Sequence, residues 1–307
     1  MTHTLHYRIH EVVPYINWIY FFHAWGFPPR FAAIGRIHGC DACRASWLSG
    51  FPEAERARAA EAMQLFKDAS RMLTQLDEDF LTHVRFGIYS ANSDGDDIIL
   101  SDPGQDIQSF RLPLLRQQHT AGPDHPYLCL SDFVRPLSQG LPDTTGIFAA
   151  TVDKEIEHLY ETGPYADNFK HLLAQTLADR LAEASAEKMH REVRTLFWGY
   201  APDEQLSAEE MLEEKFTGIR PAVGYPSLPD QSVNFLLAEW LDFAEIGISL
   251  TENGAMSPHA SVSGLMLAHP SSRYFSIGKI GEDQLEDYAR RRGLPIEDMR
   301  RFLAANL

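Results

Sequence analysis

The segment at residues 220–230, RPAVGYPSLPD, restricts the fold more than any other stretch of the chain. Each of its prolines lacks an amide hydrogen and has a fixed φ, so the segment belongs neither inside a helix nor in a central strand. It predicts a stiff loop in which Gly224 lets the backbone turn or approach another group closely. The loop begins at Arg220, whose planar guanidinium is matched to a carboxylate. Arg220 is therefore either a ligand-binding residue or one half of a structural ion pair.

Helical and strand-like patterns occupy separate parts of the chain around this loop. Residues 165–197 predict a long helix because apolar residues recur at three- and four-residue steps, and the composition of residues 54–78 predicts another. A turn cluster around Asp94 and Gly95 predicts a β-hairpin over 85–100. The other predicted elements are strands at 126–134, 144–152, 261–270 and 273–280, and helices at 207–216, 230–244, 282–292 and 295–304. This segregation favours an α+β fold with a single domain over residues 1–307.

The composition argues against several classes of function. The 307 residues carry a formal net charge of −16, which disfavours binding to nucleic acid or to an anionic membrane surface. No apolar run is long enough to span a bilayer, and residues 1–10 are too polar for a secretory signal. The 3 cysteines are too few for a disulfide framework. We therefore expect a cytoplasmic protein with no nucleic-acid or membrane partner.

One short motif, HGCDAC at residues 38–43, carries potential metal ligands. A zinc site built on His38, Cys40 and Cys43 needs a fourth ligand, and the only other thiol in the sequence is Cys129. A redox pair formed by Cys40 and Cys43 is a second alternative. The pattern favours ordinary loop or packing cysteines over both, and we predict no metal site.

Polar side chains at two further places are candidates for ligand contact. Asp179 and Glu183 stand four residues apart in the long predicted helix, so their carboxylates share one face and suit a cationic group. A solvated helix face is the alternative interpretation. Asn17 interrupts an apolar, aromatic-rich run between Ile16 and Trp18. It is either a cap or turn residue or a ligand contact.

Several segments of the chain resemble one known family. The loop RPAVGYPSLPD is similar to the R-x-x-x-G-Y signature of the activation domain of cobalamin-dependent methionine synthase, a domain that binds S-adenosylmethionine. Similar segments occur in family order at QLFKDASRML (64–73), LRQQ (115–118), LADRLAEASAEKMHREVR (177–194), FWGYAPDEQLSAEE (197–210), ASVSGLMLAHPSSRYFSIGKI (260–280) and DQLEDYARRRGLPIEDMRRFLAANL (283–307). The resemblance extends from about Tyr15 to the C-terminus.

The resemblance implies both a fold and an activity. The implied fold is a central twisted antiparallel sheet flanked by helices. The implied activity is repair of a corrinoid whose cobalt has been oxidised to Co(II), by one-electron reduction and methyl transfer from S-adenosylmethionine. No homocysteine, folate or cobalamin module is found between Met1 and Leu307. We therefore expect a free-standing activation protein whose partners are a cobalamin-carrying methionine synthase chain without its own activation domain and a flavodoxin- or ferredoxin-type electron donor.

Individual site residues also follow from the resemblance. Arg220 is expected to hold the carboxylate of S-adenosylmethionine, with the backbone around Ala222 and Gly224 close to the ligand. Tyr225 is expected to border the place where the corrinoid docks. The remaining expected positions are Asn17 and Glu183 at the ligand's polar groups, Tyr274 and Phe275 beside the ligand, and Asp179 toward the corrinoid, with Tyr225, Glu183 and Asp179 nearest the reaction.

The chain departs from the family pattern at a few positions. Asn17 stands where the family has an aspartate that contacts the ligand, so one negative charge is lost. The other departures are Gln231 in place of a common histidine, Ser257 and His259 in place of an aromatic residue and a glycine, and a longer segment at 35–55. Two alternatives therefore stay open: a reactivator of another corrinoid methyltransferase, and a non-catalytic scaffold that has lost the ligand.

Overall fold

A computed structural model describes residues 2–101, 109–119, 122 and 126–307, and a central antiparallel sheet organises them. The strands are β1 (Thr2–Arg8), β2 (Leu81–Asp94), β3 (Asp97–Ser101), β4 (Phe110–Pro113), β5 (Asp143–Val152), β6 (Ser249–Leu250), β7 (Met256–Ser257) and β8 (Ser261–Met266). The order across the sheet is β4-β3-β2-β5-β8. Strand β1 shares one edge of β2 with β3, while β6 and β7 pair separately.

Helices pack around this sheet. They are α1 (Ile9–Val12), α2 (Trp18–Ala24), α3 (Asp41–Ser49), α4 (Glu53–Asp79), α5 (Asn168–Glu192), α6 (Ala208–Leu212), α7 (Val233–Leu241), α8 (Glu282–Arg292) and α9 (Ile296–Phe302). A π-helical turn, Val193–Phe197, continues α5. Short 3₁₀ segments include Pro29–Arg36 between α2 and α3, and Leu130–Phe133 before β5. In the part of the chain described, no helix combines the length and the apolar character that crossing a membrane requires.

The alternation of side chains along the strands separates two hydrophobic cores. In β5, Phe148 and Ala150 pack with α4 and α5, whereas Ile147 and Ala149 pack with α7 on the opposite face. A smaller third core lies between α8 and α9. Because α5 packs against β2, β5 and β8, the sheet fixes the orientation of the polar face of this helix.

Most of the predicted elements are confirmed. The hairpin at 85–100 is formed by β2 and β3, and Gly95 in its turn has a φ of 61°. The helices predicted at 54–78 and 165–197 correspond to α4 and to α5 with its π-helical turn. Also confirmed are the strand at 144–152, the capping box at Ser207 and Glu210 that opens α6, the helices at 230–244, 282–292 and 295–304, and the turn at Gly293. The α+β class and the antiparallel sheet are therefore as expected.

The strand predicted at 126–134 is wrong. Cys129 makes one isolated bridge to Arg116, and a 3₁₀ helix begins at the next residue. The carboxylate of Asp132 accepts a hydrogen bond from the amide of Cys129 at 2.9 Å, and this local bond bends the backbone away from a strand. Although the composition is strand-like, the Asp132 side chain takes the backbone amide of Cys129 that a strand would use for pairing.

The strand predicted at 273–280 is also wrong, and the strand predicted at 261–270 ends at Met266. The amide of Ile277 donates to the carbonyl of Pro226 at 2.8 Å, so this segment bonds to the proline-rich loop rather than to a neighbouring strand. A hydrogen bond to an irregular loop replaces the regular series of inter-strand hydrogen bonds that defines a β-strand.

Candidate functional site

The proline-rich loop is fastened to the edge of the sheet beside β8. Ala222 forms a bridge to Gly264, and the amide of Leu265 donates to the carbonyl of Pro221 at 3.0 Å. A Cβ atom on Gly264 would lie only 2.1 Å from that carbonyl oxygen. Glycine is therefore required at this position of β8 for the loop to approach the strand. The stiffness predicted from the prolines is reinforced by backbone pairing.

The far end of the loop is held by a buried carboxylate. Asp230 accepts hydrogen bonds from the hydroxyl of Tyr288 at 2.8 Å and from the amide of Ser232 at 2.9 Å. Within the loop, Gly224 has a φ of 86° and its amide donates to the carbonyl of Leu228 at 2.9 Å. This left-handed backbone conformation favours glycine. Both ends and the internal turn of the loop are thus fixed.

Arg220 lies buried at the start of the loop, and its guanidinium pairs with Glu187 of α5. Its amide donates to the hydroxyl of Tyr274 at 3.0 Å, and its guanidinium carbon lies 5.2 Å from the centre of the Phe148 ring. Burial disfavours the charged form, but Glu187 and Tyr274 raise the pKa of Arg220 above its ordinary value. Nε has no hydrogen-bond partner among the described residues. The side chain is therefore in a structural ion pair in which Nη2 is the bonded nitrogen.

Helix α5 presents a line of carboxylates toward this loop. Asp179, Glu183 and Glu187 follow one another at four-residue steps, so they share one face of the helix. The hydroxyl of Tyr225 donates to Glu183 at 2.5 Å. Burial and the neighbouring carboxylate raise the pKa of Tyr225, so its hydroxyl stays protonated and serves as a donor. Three like charges in a row favour a cationic group beside them.

Asp179 stands at the outer end of this line. Burial raises the pKa of Asp179, and His259, whose Nδ1 lies 3.5 Å from the carboxylate, opposes that shift. His259 is one of the positions at which the sequence departs from the family pattern, and its side chain is almost fully exposed. The imidazole of His259 therefore lies beside the carboxylate of Asp179, which was expected to face the corrinoid.

A cavity of about 470 Å³ lies between α5 and the proline-rich loop. Its volume is in the range of small-molecule sites. It is lined by 7 of the 8 residues expected to contact the cofactor: Asn17, Glu183, Arg220, Ala222, Tyr225, Tyr274 and Phe275. Gly224, the eighth, occupies the turn between Ala222 and Tyr225. Residues from α2, from α5, from the loop and from the segment after β8 are thus brought to one place.

The charge of this cavity is unbalanced. The charged side chains of its lining are Glu183, Glu187 and Glu214 against the single cation Arg220. Burial and the nearby Glu187 raise the pKa of Glu214, which is the expected response of clustered carboxylates. The cavity therefore suits a ligand that carries positive charge and one carboxylate.

A second cavity of about 430 Å³ adjoins the first. The two cavities share Asn17, Tyr20, Glu183, Glu187, Leu212 and Tyr225, and the second one extends to Asp179 and Arg180. Tyr20 and Tyr225 are both partly exposed, at 58% and 49%, and they form the rim between the cavities. All three residues expected nearest the reaction, Tyr225, Glu183 and Asp179, therefore border this second space.

Asn17 combines the two roles that the sequence left open. Its Oδ1 accepts a hydrogen bond from the amide of Ile19 at 3.1 Å, which makes it the N-cap of α2. The same side chain lines both cavities. The cap fixes the orientation of the amide group at the edge of the site.

Among the cavity-lining residues that were not predicted from the sequence, three carry a carboxylate or phenol group: Glu187, Glu214 and Tyr20. Glu187 lies four residues beyond Glu183, so the spacing that identified Asp179 and Glu183 could have found it. Glu214 has no such signal, and Tyr20 lies three residues after Asn17, but the sequence does not show that α2 packs beside the cavity. Their contribution depends on the tertiary structure.

The structure also brings together the ligand-type residues of the HGCDAC motif. Donor atoms of His38, Cys40 and Cys43 all lie within 4.8 Å of one another. Hydrogen bonds from Cys43 and His38 lower the pKa of Cys40 to about 7. Cys129 is buried apart from them in the second core, where burial raises its pKa to about 12. The structure thus places the three residues together, and the expectation of ordinary loop or packing cysteines stays a prediction.

Known proteins are similar to this chain over nearly its whole length. The profile of the vitamin B12 dependent methionine synthase activation domain matches residues 8–293. A crystal structure of the MetH reactivation domain bound to AdoHcy superposes with a TM-score of 0.86 at 36% sequence identity. The similarity covers 100% of this chain and 90% of that chain.

Proposed function

Because this chain belongs to the family of vitamin B12 dependent methionine synthase activation domains, we propose that it binds S-adenosylmethionine in the cavity between α5 and the proline-rich loop. The observation that carries the proposal is the charge of this cavity, in which three glutamates surround one incompletely bonded arginine. S-adenosylmethionine has a sulfonium and an ammonium group, which suit the glutamates, and a carboxylate, which suits the arginine.

Each part of the site has a separate task in this proposal. The guanidinium of Arg220, at the cavity wall, binds the ligand carboxylate, and the pair with Glu187 holds that group in place. Glu183, aligned by the hydroxyl of Tyr225, attracts the positive end of the ligand. The loop is anchored at both of its ends, so little conformational entropy is lost when the ligand binds.

We further propose that the bound ligand supports the reactivation of a corrinoid. The sulfonium supplies an electrophilic methyl group, and the cobalt of the reduced corrinoid is its acceptor. The protein residues orient the donor and exclude water from it. The side chains of Tyr225, which is exposed, and Asp179, which is half-buried, border the second cavity, through which the acceptor would have to come.

The acceptor and the electron belong to partners in this proposal. We infer that the corrinoid is carried by a separate cobalamin-binding methionine synthase chain and that a flavodoxin- or ferredoxin-type protein supplies the electron. The family membership supports a corrinoid acceptor, and the exposed rim at Tyr20 and Tyr225 offers a surface to the protein that carries it. Mixing the protein with such a chain, reductant and S-adenosylmethionine should restore the absorption spectrum of methylcobalamin. A spectrum that stays that of Co(II) would argue against this part of the proposal.

Calorimetric titration with S-adenosylmethionine, run beside S-adenosylhomocysteine, tests ligand binding directly. We expect one saturable site and tighter binding of S-adenosylmethionine, because only this ligand carries the sulfonium charge. In Glu183→Gln, the affinity for S-adenosylmethionine should fall about fivefold, and that for S-adenosylhomocysteine should fall less. Glu239→Gln removes an equal charge from an exposed position of α7 and serves as the matched control.

Two results of this titration would contradict the proposal. Absence of saturable binding for both ligands would favour the scaffold alternative. Equal losses of affinity in Glu183→Gln and Glu239→Gln would show that only the overall charge of the protein matters, and not the carboxylate at the cavity.

A further inference from the structure

The cluster of His38, Cys40 and Cys43 lies outside the site described above. One ring nitrogen and two sulfur atoms lie within 4.8 Å of one another, and the residues are exposed or only partly buried. Imidazole nitrogen and thiolate sulfur are the donors that zinc prefers in proteins. In a zinc site with bonds of about 2.0–2.3 Å, the donor atoms stand roughly 3.5–3.8 Å apart. At exposed positions, small rotations of the side chains close that difference.

The local structure explains why these residues converge. Cys40 is the N-cap of α3, and its Sγ accepts a hydrogen bond from the amide of Cys43 at 3.3 Å. A thiol at the N-cap and another at the third helical position lie on the same side of the first turn. His38 enters from the extended residues that precede the cap. Amide hydrogen bonds to sulfur of this kind also orient metal-bound cysteines.

We propose that His38, Cys40 and Cys43 form a binding site for a thiophilic divalent cation, with Zn²⁺ as its natural occupant. The cation binds two thiolates and one imidazole, and each thiol releases its proton to solvent on binding. The fourth coordination position is open to water or to an external ligand.

Among the described residues, no fourth protein ligand joins these three. Asp41 points into solvent and pairs with Arg44 at 3.7 Å. Cys129 is buried in the second core, with its Sγ 3.8 Å from the carbonyl of Asp96. The described part of the chain therefore offers three ligands to this cation, the number found in zinc sites that keep an exchangeable position.

The bound cation would stabilise a weakly held helix. Helix α3 has nine residues, none of them fully buried, and a helix of this length is not stable alone. Its C-terminal half is held by contacts of Trp47 with Phe51 and Phe31. Its N-terminal end has no comparable aromatic contact among the described residues. A metal bridge from His38 to Cys40 and Cys43 supplies the missing attachment.

The segment that carries His38 is also connected to α6, near the candidate ligand site. Arg36, two residues before His38, pairs with Glu209 of α6. Arg36 and Glu209 line a third cavity of about 750 Å³, which also borders Asn17. The metal site therefore ties α3 to the segment that borders one side of the S-adenosylmethionine cavity, although the metal proposal does not depend on that ligand.

Titration of the fully reduced protein with Co²⁺, followed by visible absorption, tests the site. All three thiols are first counted under denaturing conditions, so that a disulfide between Cys40 and Cys43 is detected and reduced beforehand. We expect one equivalent of Co²⁺ with the intense absorption of a tetrahedral thiolate site, and its displacement by one equivalent of Zn²⁺. Bound Zn²⁺ should also raise the melting temperature of the protein.

Variants separate this site from other thiols. Cys40→Ser and Cys43→Ser should each lower the affinity for Zn²⁺ by more than about 100-fold, because even changes outside the coordination shell cost about 10- to 100-fold. His38→Gln should weaken binding while the thiolate absorption persists. Cys129→Ala, which removes the third thiol, should leave binding unchanged.

The proposal is overturned if the reduced protein binds no Co²⁺ with thiolate absorption. It is also overturned if that absorption survives in both Cys40→Ser and Cys43→Ser, or if it is lost only in Cys129→Ala. None of these readouts involves S-adenosylmethionine, so failure of this proposal and failure of the proposed function are distinguishable.

Discussion

Two buried arginine–glutamate pairs flank the C-terminal part of α5, and they differ in completeness. Arg194 is 0% exposed and binds Glu204, itself 6% exposed, through Nε at 2.7 Å and Nη2 at 2.6 Å. Arg220 is 6% exposed and binds Glu187, which is 22% exposed, through Nη2 alone. Arg194 thus forms two hydrogen bonds to its glutamate, and we call this the closed pair. Arg220 forms one, and we call this the open pair.

The surroundings explain the difference between the pairs. The guanidinium of Arg194 lies 4.2 Å from the ring centre of Phe216, which covers it. Arg220 instead borders a cavity. Burial and charge are shared by both arginines. Each also has one buried donor without a partner among the described residues, Nη1 of Arg194 and Nε of Arg220. The adjoining cavity and the single bond to its glutamate are what distinguish Arg220 as a candidate ligand-binding arginine.

A buried histidine lies between the two pairs. His190 of α5 is fully buried, with Nε2 3.4 Å from the hydroxyl of Tyr200. Burial, followed by the charges of Arg194 and Arg220, lowers the pKa of His190 well below its ordinary value. The imidazole is therefore neutral, and a proton on it would add a third cation to a region that already holds two.

The largest expected effect comes from breaking the closed pair. Glu204→Gln leaves Arg194 buried without its counter-charge, so the free energy of unfolding should fall by about 3–5 kcal/mol. Glu187→Gln should cost less, about 1–3 kcal/mol, because Glu187 is more exposed and the open pair has fewer bonds. Urea denaturation of both variants measures the difference. A larger loss in Glu187→Gln would reverse the contrast between the pairs.

The open pair should instead control ligand affinity. Arg220→Ala should weaken the binding of S-adenosylmethionine by about 2–3 kcal/mol, because a charge-assisted pair with the ligand carboxylate is lost. Calorimetry on folded protein measures this change. Arg116→Ala, which removes an arginine bonded to Asp96 and Asp132 away from the cavity, is the control. Unchanged affinity in Arg220→Ala would remove Arg220 from the binding site.

Acid should weaken the region between the pairs through His190. In the unfolded chain this histidine takes up a proton as the pH falls through about 6.5, while the folded protein resists protonation. Stability should therefore fall as the pH drops below about 6.5, by up to about 1.4 kcal/mol per pH unit for this one proton. His190→Gln should flatten that dependence in urea denaturation between about pH 5 and 8. His158→Gln, an exposed control, should retain it.

The sequence predicted the fold better than it predicted the two arginine–glutamate pairs. The proline-rich loop, the long helices and the first hairpin follow from local composition and periodicity. Arg220 was recognised because the loop around it is unusual, but its partner on α5 was not. A charged partner is determined by tertiary packing, which brings Glu187 to the loop from 33 residues away.

Short motifs and strand-like segments show the same limit. The spacing of Cys40 and Cys43 suggested a shared site, yet their convergence with His38 required the N-terminal turn of α3. Segments 126–134 and 273–280 have strand-like composition, but their backbone groups bond to a side chain or to the proline-rich loop. Composition describes what a segment tolerates, whereas its bonding partners decide what it forms.

The smallest expected effect comes from adding one negative charge to the cavity beside the open pair. Asn17→Asp keeps the N-cap of α2, because aspartate caps a helix as well as asparagine does. It also adds a carboxylate to the cavity that holds Glu183 and Arg220. The affinity for S-adenosylmethionine should rise by about 0.5–1 kcal/mol, and that for S-adenosylhomocysteine should change less, because it lacks the sulfonium charge. The free energy of unfolding in urea should stay nearly constant, since the closed pair is untouched.

Equal tightening of both ligands would show that residue 17 acts on a part of the ligand that both molecules have. Weaker binding would show that the ligand carboxylate, rather than its cationic end, lies beside α2.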